Sequence, residues 1–203
     1  PYNVTEDADL GIRLAQEGFT VGVINSTTYE EANGVMSSWV KQRSRWIKGY
    51  MQTWLVHMRD PVHLYRSIGP VGFFSFHFFI GAPAFTVLLN PILWAITLLM
   101  YGAKLEPFGW LFVEPFGTLA LFNLVVGNLF LVYFGVVAAL KRRYYDLVVV
   151  GLTLPFYWVL HSVAGYKALK QLITNPHYWE KTEHGTSSFT QAKLDDAQKK
   201  RAT

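Results

Sequence analysis

Gln42, Arg45 and Trp46, inside the stretch "QRSRW" that spans 42–46, are types and spacings that suit chemistry on an anionic sugar donor. At i, i+3 and i+4 they share one face of a helical turn. Arg45 offers a planar fork of donors that matches phosphate oxygens. Trp46 offers a broad apolar plate for the C–H face of a sugar, and Gln42 supplies both a donor and an acceptor. A second group, Thr5-Glu6-Asp7 in "VTEDADL", carries a carboxylate able to take the proton from a hydroxyl as it attacks an anomeric carbon.

Each group also has a plainer reading. Acids at a helix start are stabilised by the backbone dipole. A Trp beside Arg on an amphipathic helix anchors that helix in a membrane interface while Arg snorkels to headgroups. On spacing alone the interfacial anchor is the simpler account of Gln42, Arg45 and Trp46. A third group, "HYWEKTEHG" at 177–185, packs aromatic, acidic, basic and hydroxyl side chains ahead of a Gly. Its default is a solvated loop, since His177 and His184 lack metal-ligand spacing with a third partner. No Gly-rich phosphate loop, nucleophile elbow or kinase pattern is present.

The elements that must hold these groups follow from pattern. Thr5 or Asn3 is placed to cap a helix starting near Ala8, with Leu10 and Leu14 on one face and Gly18 closing it. "FTVGVI" at 19–24 alternates like a short strand. From Val35 the period becomes helical: Met36, Trp39, Trp46, Ile47, Tyr50, Met51 and Trp54 form a wide apolar face. Lys41, Lys48 and Arg59 fall at its edges, and Asp60-Pro61 ends it.

Charge is segregated along the rest of the chain. No Asp, Glu, Lys or Arg occurs between Arg66 and Lys104, between Glu114 and Lys141, or between Asp146 and Lys167. That pattern predicts a membrane protein, since a span needs about 20 apolar residues. One span is expected at about 80–101, kinked by Pro83 and Pro91, and a second at 116–140. The Lys141-Arg142-Arg143 cluster against a weakly charged 102–115 loop places the cluster on the cytoplasmic side. If 147–166 also spanned, the basic residues from Lys167 to Arg201 would lie outside; Pro155 and His161 also interrupt it. An interfacial or re-entrant helix over 146–174 is therefore expected. The divisions are then 1–66, a cytoplasmic portion with its interfacial helix; 67–145, two spans; 146–174; and 175–203, a loop and polar tail. The chain opens on Pro1 without a signal-peptide pattern, which reads as an excerpt of a longer protein. It has no Cys, which excludes disulfides and Cys-based metal sites. A net charge of +4 suits anionic headgroups or a phosphate-bearing substrate, and without any nucleic-acid signature no nucleic acid partner is expected.

Thr5-Glu6-Asp7 followed about 35 residues later by Gln42-x-x-Arg45-Trp46, on a helix leading into membrane spans, resembles the C-terminal portion of membrane-integrated family-2 glycosyltransferases. Cellulose and hyaluronan synthases belong to that group, and the wording here is especially similar to bacterial exopolysaccharide glycosyltransferases. The resemblance implies a mainly α membrane protein: the C-terminal part of an α/β, GT-A-like catalytic domain followed by interfacial and transmembrane helices. It implies Asp7 as catalytic base with Glu6 supporting, Gln42 and Trp46 at the acceptor, and Arg45 at the donor diphosphate. Residues 179–185 resemble the gating loop F-x-V-T-x-K-G of cellulose synthases. Trp179 replaces Phe, Thr182 and Gly185 match, and His184 replaces Lys, which weakens the match because His need not be charged at neutral pH.

The resemblance further implies a nucleotide-sugar donor, a glycan or lipid acceptor, membrane lipids and an export partner of unknown identity. It implies Mg or Mn whose ligands, with the nucleotide-binding half, precede Pro1, so this stretch alone is expected to be inactive. The implied reaction is inverting elongation of a polysaccharide by a multi-pass enzyme of the cytoplasmic (inner) membrane, coupled to export. Non-processive glycosylation of a lipid is the alternative, because QxxRW also occurs in ceramide glucosyltransferases. A non-catalytic membrane scaffold or export subunit is the other.

Overall fold

Thr5 stands immediately ahead of helix α1 (Glu6–Gln16), whose first turn holds Glu6, Asp7 and Asp9 at the positive end of the backbone dipole. The helix closes on Gly18, at φ 82. The Gly18 N–H donates to the Ala15 carbonyl (3.1 Å) and the Phe19 N–H to the Leu14 carbonyl (2.9 Å), an ending that needs the left-handed backbone glycine allows. The computed structural model describes residues 5–26, 28, 32–102 and 114–181. They divide into two compact units: the described residues up to Ala82 with those from Lys167 onward, and Pro83–Tyr166.

In the first unit, α2 (Met36–His57) buries Ser44, Ile47, Lys48, Met51, Thr53 and His57. The wide apolar face expected from pattern is therefore split. Ile47 and Met51 are core, whereas Met36, Trp46 and Leu55 are exposed, and Lys48, expected at an edge, is fully buried. Asp60 then caps α3 (Pro61–Phe76) by accepting from the His63 N–H at 2.9 Å, with Pro61 at the first helical position. Helix α3 breaks at Gly69 (φ 70, ψ 174), and Pro70, with its fixed φ, restarts it. A wide π-helical turn, His77–Gly81, joins it to α4 (Ala82–Tyr101). Pro83 supplies the reason: its ring crowds the carbonyl four residues back, and the wider turn relieves that clash. Gly81 leaves room for Trp54, whose Nε1 would sit 2.7 Å from a Cβ there.

The second unit is built on small residues. Helices α5 (Phe116–Phe122) and α6 (Asn128–Lys141) flank a π-helical turn at Asn123–Gly127. Arg143, at φ 60, reverses the chain so that α7 (Leu147–Gly151) packs back on α6, with Gly151 against Gly135. Helix α8 (Leu154–Thr174) meets α4 where a Cβ on Gly165 would lie 2.7 Å from Val87 Cγ2, and the Tyr166 hydroxyl donates to the Leu88 carbonyl (2.7 Å). Glycines at helix contacts are how apolar helices approach without a hydrophobic drive between them.

Two helices, Pro61–Tyr101 and Gly117–Lys141, are long and apolar enough to cross a membrane. Their most apolar windows are 17 % and 0 % buried within the chain, unlike the core helix of a water-soluble domain. The stretches 80–101 and 117–140 lie in these helices, and 147–174 holds α7 and α8, broken at Leu152–Thr153.

The expected α/β part must be corrected. Among the described residues there is no strand, and the alternating 19–24 stretch is irregular, with Val23 fully exposed and Ile24 82 % exposed. Alternation is a local signal, but a strand exists only when a neighbour completes its hydrogen-bond ladder. The polar tail expected over the last residues lies outside the described ones.

Candidate active site

Two contacts fix α1 along the C-terminal half of α2. Thr5 is buried on Gly49, where an added Cβ would lie 2.7 Å from Thr5 Cβ. Four residues on, Asp9 Oδ1 lies 2.8 Å from Nε2 of the buried His57, and Asp9 Oδ2 accepts from Arg13 Nε at 2.8 Å. Burial pushes the Asp9 carboxyl up, but the bonds and charges of Arg13 and His57 outweigh it and hold it below the usual value. Glu6 and Asp7 sit between these two contacts and are exposed.

Asp7 Oδ1 accepts from the Ala8 N–H at 2.8 Å. Among the described residues its Oδ2 has no hydrogen bond. Thr5, Glu6 and Asp7 line a cleft of about 360 Å³ together with Arg45, Trp46, Tyr50 and Trp179. The carboxylates come from α1, the guanidinium and two aromatic rings from α2, and Trp179 from the segment after α8. Arg45 donates from Nη1 to the Glu180 carbonyl at a long 3.4 Å, and its guanidinium carbon lies 5.1 Å from the Trp179 ring centroid. Such a cleft offers a base and a cation to a reacting pair, with indoles for a sugar.

The residues singled out from sequence separate here. Asp7, Glu6, Arg45, Trp46 and Trp179 meet in the cleft. Gln42 does not line it; its Oε1 accepts from Asn33 Nδ2 at 2.9 Å. Thr182 and His184 lie outside the described residues. Sequence reasoning missed Tyr50, one turn beyond Trp46 on the same helix and legible from its i+4 spacing. It also missed Arg43, whose guanidinium carbon is 4.4 Å from the Trp46 ring centroid and 5.7 Å from that of Trp39. Gly49 left no periodic signal; only the approach of another helix reveals its role.

The model for glycosyl transferase family group 2 matches residues 2–160. The chain belongs to glycosyl transferase family group 2. No curated protein and no solved structure matches it. This glycosyltransferase therefore passes a sugar from a nucleotide-sugar donor to an acceptor. The family generally uses a divalent cation. Among the described residues no group of three or more His, Cys, Asp or Glu side chains is placed to hold one. The described residues by themselves do not fit the ion.

Proposed function

We propose that the glycosyltransferase lengthens a polysaccharide, inverting the anomeric centre, at the cytoplasmic face of the inner membrane and in step with export. The supporting observation is the shared cleft, in which Asp7, Arg45, Trp46 and Trp179 face one space. Asp7 Oδ2 takes the acceptor hydroxyl's proton as that oxygen bonds to the anomeric carbon. On the opposite side the carbon–oxygen bond to the donor phosphate breaks, and the diphosphate leaves with the electron pair. Attack and departure on opposite faces invert the centre. Arg45 offsets the charge developing on the diphosphate. Glu6 supports Asp7 from the same wall. Trp46 carries the acceptor sugar ring, whereas Gln42, held by Asn33 away from the cleft lining, has no acceptor contact in this reading. The two long apolar helices span the bilayer, and the basic 141–143 turn between α6 and α7 favours a cytoplasmic placement.

The test is the intact protein in membranes with UDP-glucose, UDP-N-acetylglucosamine and GDP-mannose, followed by sizing of the product. Long chains support the reading; one sugar added to lipid replaces it with a lipid acceptor. Asp7→Asn is expected to cut turnover about 10²- to 10⁴-fold with donor binding intact. Near-normal turnover in that variant removes Asp7 from its role.

A further inference from the structure

Three donors on one face of α2 reach three main-chain carbonyls of the segment that follows α8. Arg45 Nη1 donates to Glu180 (3.4 Å), Lys48 Nζ to Tyr178, and Gln52 Nε2 to Pro176 (2.8 Å). Positions 45, 48 and 52 follow the i, i+3, i+7 row of a helix. The carbonyls alternate along the partner segment, which runs antiparallel to α2. A turn closed by the Tyr178 N–H on the Asn175 carbonyl (3.1 Å), with Pro176 next to Asn175, brings the segment back from α8. Its far end is tied to α8 by the Glu180 carboxylate, which accepts from Lys167 Nζ at 2.8 Å and Gln171 Nε2 at 3.0 Å. All of these residues belong to the same compact unit. The segment lies beyond residues 2–160, so the family match does not account for it.

Lys48 is the costly member of the row. It is fully buried, and among the described residues its hydrogen bond goes to a neutral carbonyl, with no carboxylate at ion-pair distance. Burial pulls its pKa below the usual lysine value, while the Glu180 charge pushes back. Burying an ammonium is costly unless it is well paired. A methionine fills similar space without that cost, so the ammonium is explained by what it holds. It holds the main chain next to Trp179, the ring set against Arg45 in the cleft.

We propose that Lys48 is a positioning residue for sugar transfer: with Gln52 it clamps segment 176–180 so that Trp179 stays over Arg45 when a donor diphosphate displaces the Glu180 carbonyl. This rests on the cleft being the transfer site. The Arg45–Glu180 bond is the longest of the three and the first to yield. The other two keep the segment in place.

The experiment uses the intact protein and two variants, Lys48→Met and Gln52→Ala, the second guarding against a folding defect in the first. Amide hydrogen exchange over 177–181 is expected to rise at least tenfold in either variant. With UDP-glucose, or whichever nucleotide sugar of the panel above the wild type uses, donor KM is expected to rise about tenfold, with kcat within threefold. General destabilisation instead lowers kcat by reducing the active fraction and leaves KM alone. Unchanged exchange in both variants overturns the clamp, and raised exchange with unchanged donor KM overturns the positioning role. A wild type inactive on every donor overturns the transfer reading and the catalytic part of this proposal with it. Unchanged exchange in an active enzyme overturns the clamp alone.

Discussion

The guanidinium of Arg43 lies over the indole of Trp46, 4.4 Å from the ring centroid, and so occupies one face of the ring that borders the cleft. Under the proposed function, the acceptor sugar stacks on the other face. Arg43 is also 5.7 Å from Trp39, so the cation is shared between two indoles about two helical turns apart.

Removing the plate should hurt the acceptor and spare the donor. Trp46→Ala is expected to raise acceptor KM about tenfold or more, equal to at least about 1.4 kcal/mol, with donor KM unchanged. Arg43→Met, which keeps the ring but frees its orientation, is expected to raise acceptor KM about threefold, in line with a cation–π contact of about 0.5–1 kcal/mol. Steady-state kinetics with each substrate varied in turn checks both; weakened donor use with normal acceptor use contradicts the placement of Trp46.

Two glycines should respond to alanine in opposite directions. At Gly49 the new Cβ has no room against Thr5, so Gly49→Ala is expected to cost about 1–3 kcal/mol and to push the Glu6–Asp7 turn off α2. Gly11, in the middle of α1, has nothing within 4 Å of an added Cβ, so Gly11→Ala is expected to stabilise the helix by about 0.5–1 kcal/mol. Thermal unfolding in detergent, read with turnover, distinguishes them. Equal effects would mean α1 does not pack on α2 through Thr5.

Acid should loosen α1 from α2. The Asp9 carboxyl is held below its ordinary value, so the unfolded chain binds its proton at higher pH than the folded one. The Asp9–His57–Arg13 contact thus contributes its full stability above the unfolded value. It loses it as pH falls through the lower folded value. Glu180, where burial pushes up but Lys167 and Gln171 pull harder, moves in the same direction from 4.5. Melting temperature followed from pH 7 to pH 3 is expected to fall most steeply below about pH 4, and less steeply in Asp9→Asn. An identical slope in that variant removes Asp9 from the account.

The absence of cysteine makes topology directly testable. Under the proposed orientation, a membrane-impermeant maleimide added to intact cells is expected to label Glu114→Cys and to spare Arg142→Cys. The reverse pattern places the basic turn outside and removes the cytoplasmic assignment.

Much of the layout is written locally in the chain. Acids before an i, i+3, i+4 row, Gly18 past the last turn of α1, and Asp60-Pro61 between α2 and α3 are all short-range signals, because caps and helix faces depend on neighbours within about one turn. Long uncharged runs likewise mark apolar helices by composition alone. Local pattern failed at 19–24, where alternation without a partner strand yields no sheet. It also failed at Lys48, whose burial depends on a segment 130 residues away. That Asp7, Arg45 and Trp179 share one cleft was settled only in three dimensions, by the seat of Thr5 on Gly49 and the turn at Asn175–Pro176. A sequence fixes which side chains lie on one helix face, but contacts between distant segments follow from how their shapes and hydrogen-bonding groups fit once the chain has packed.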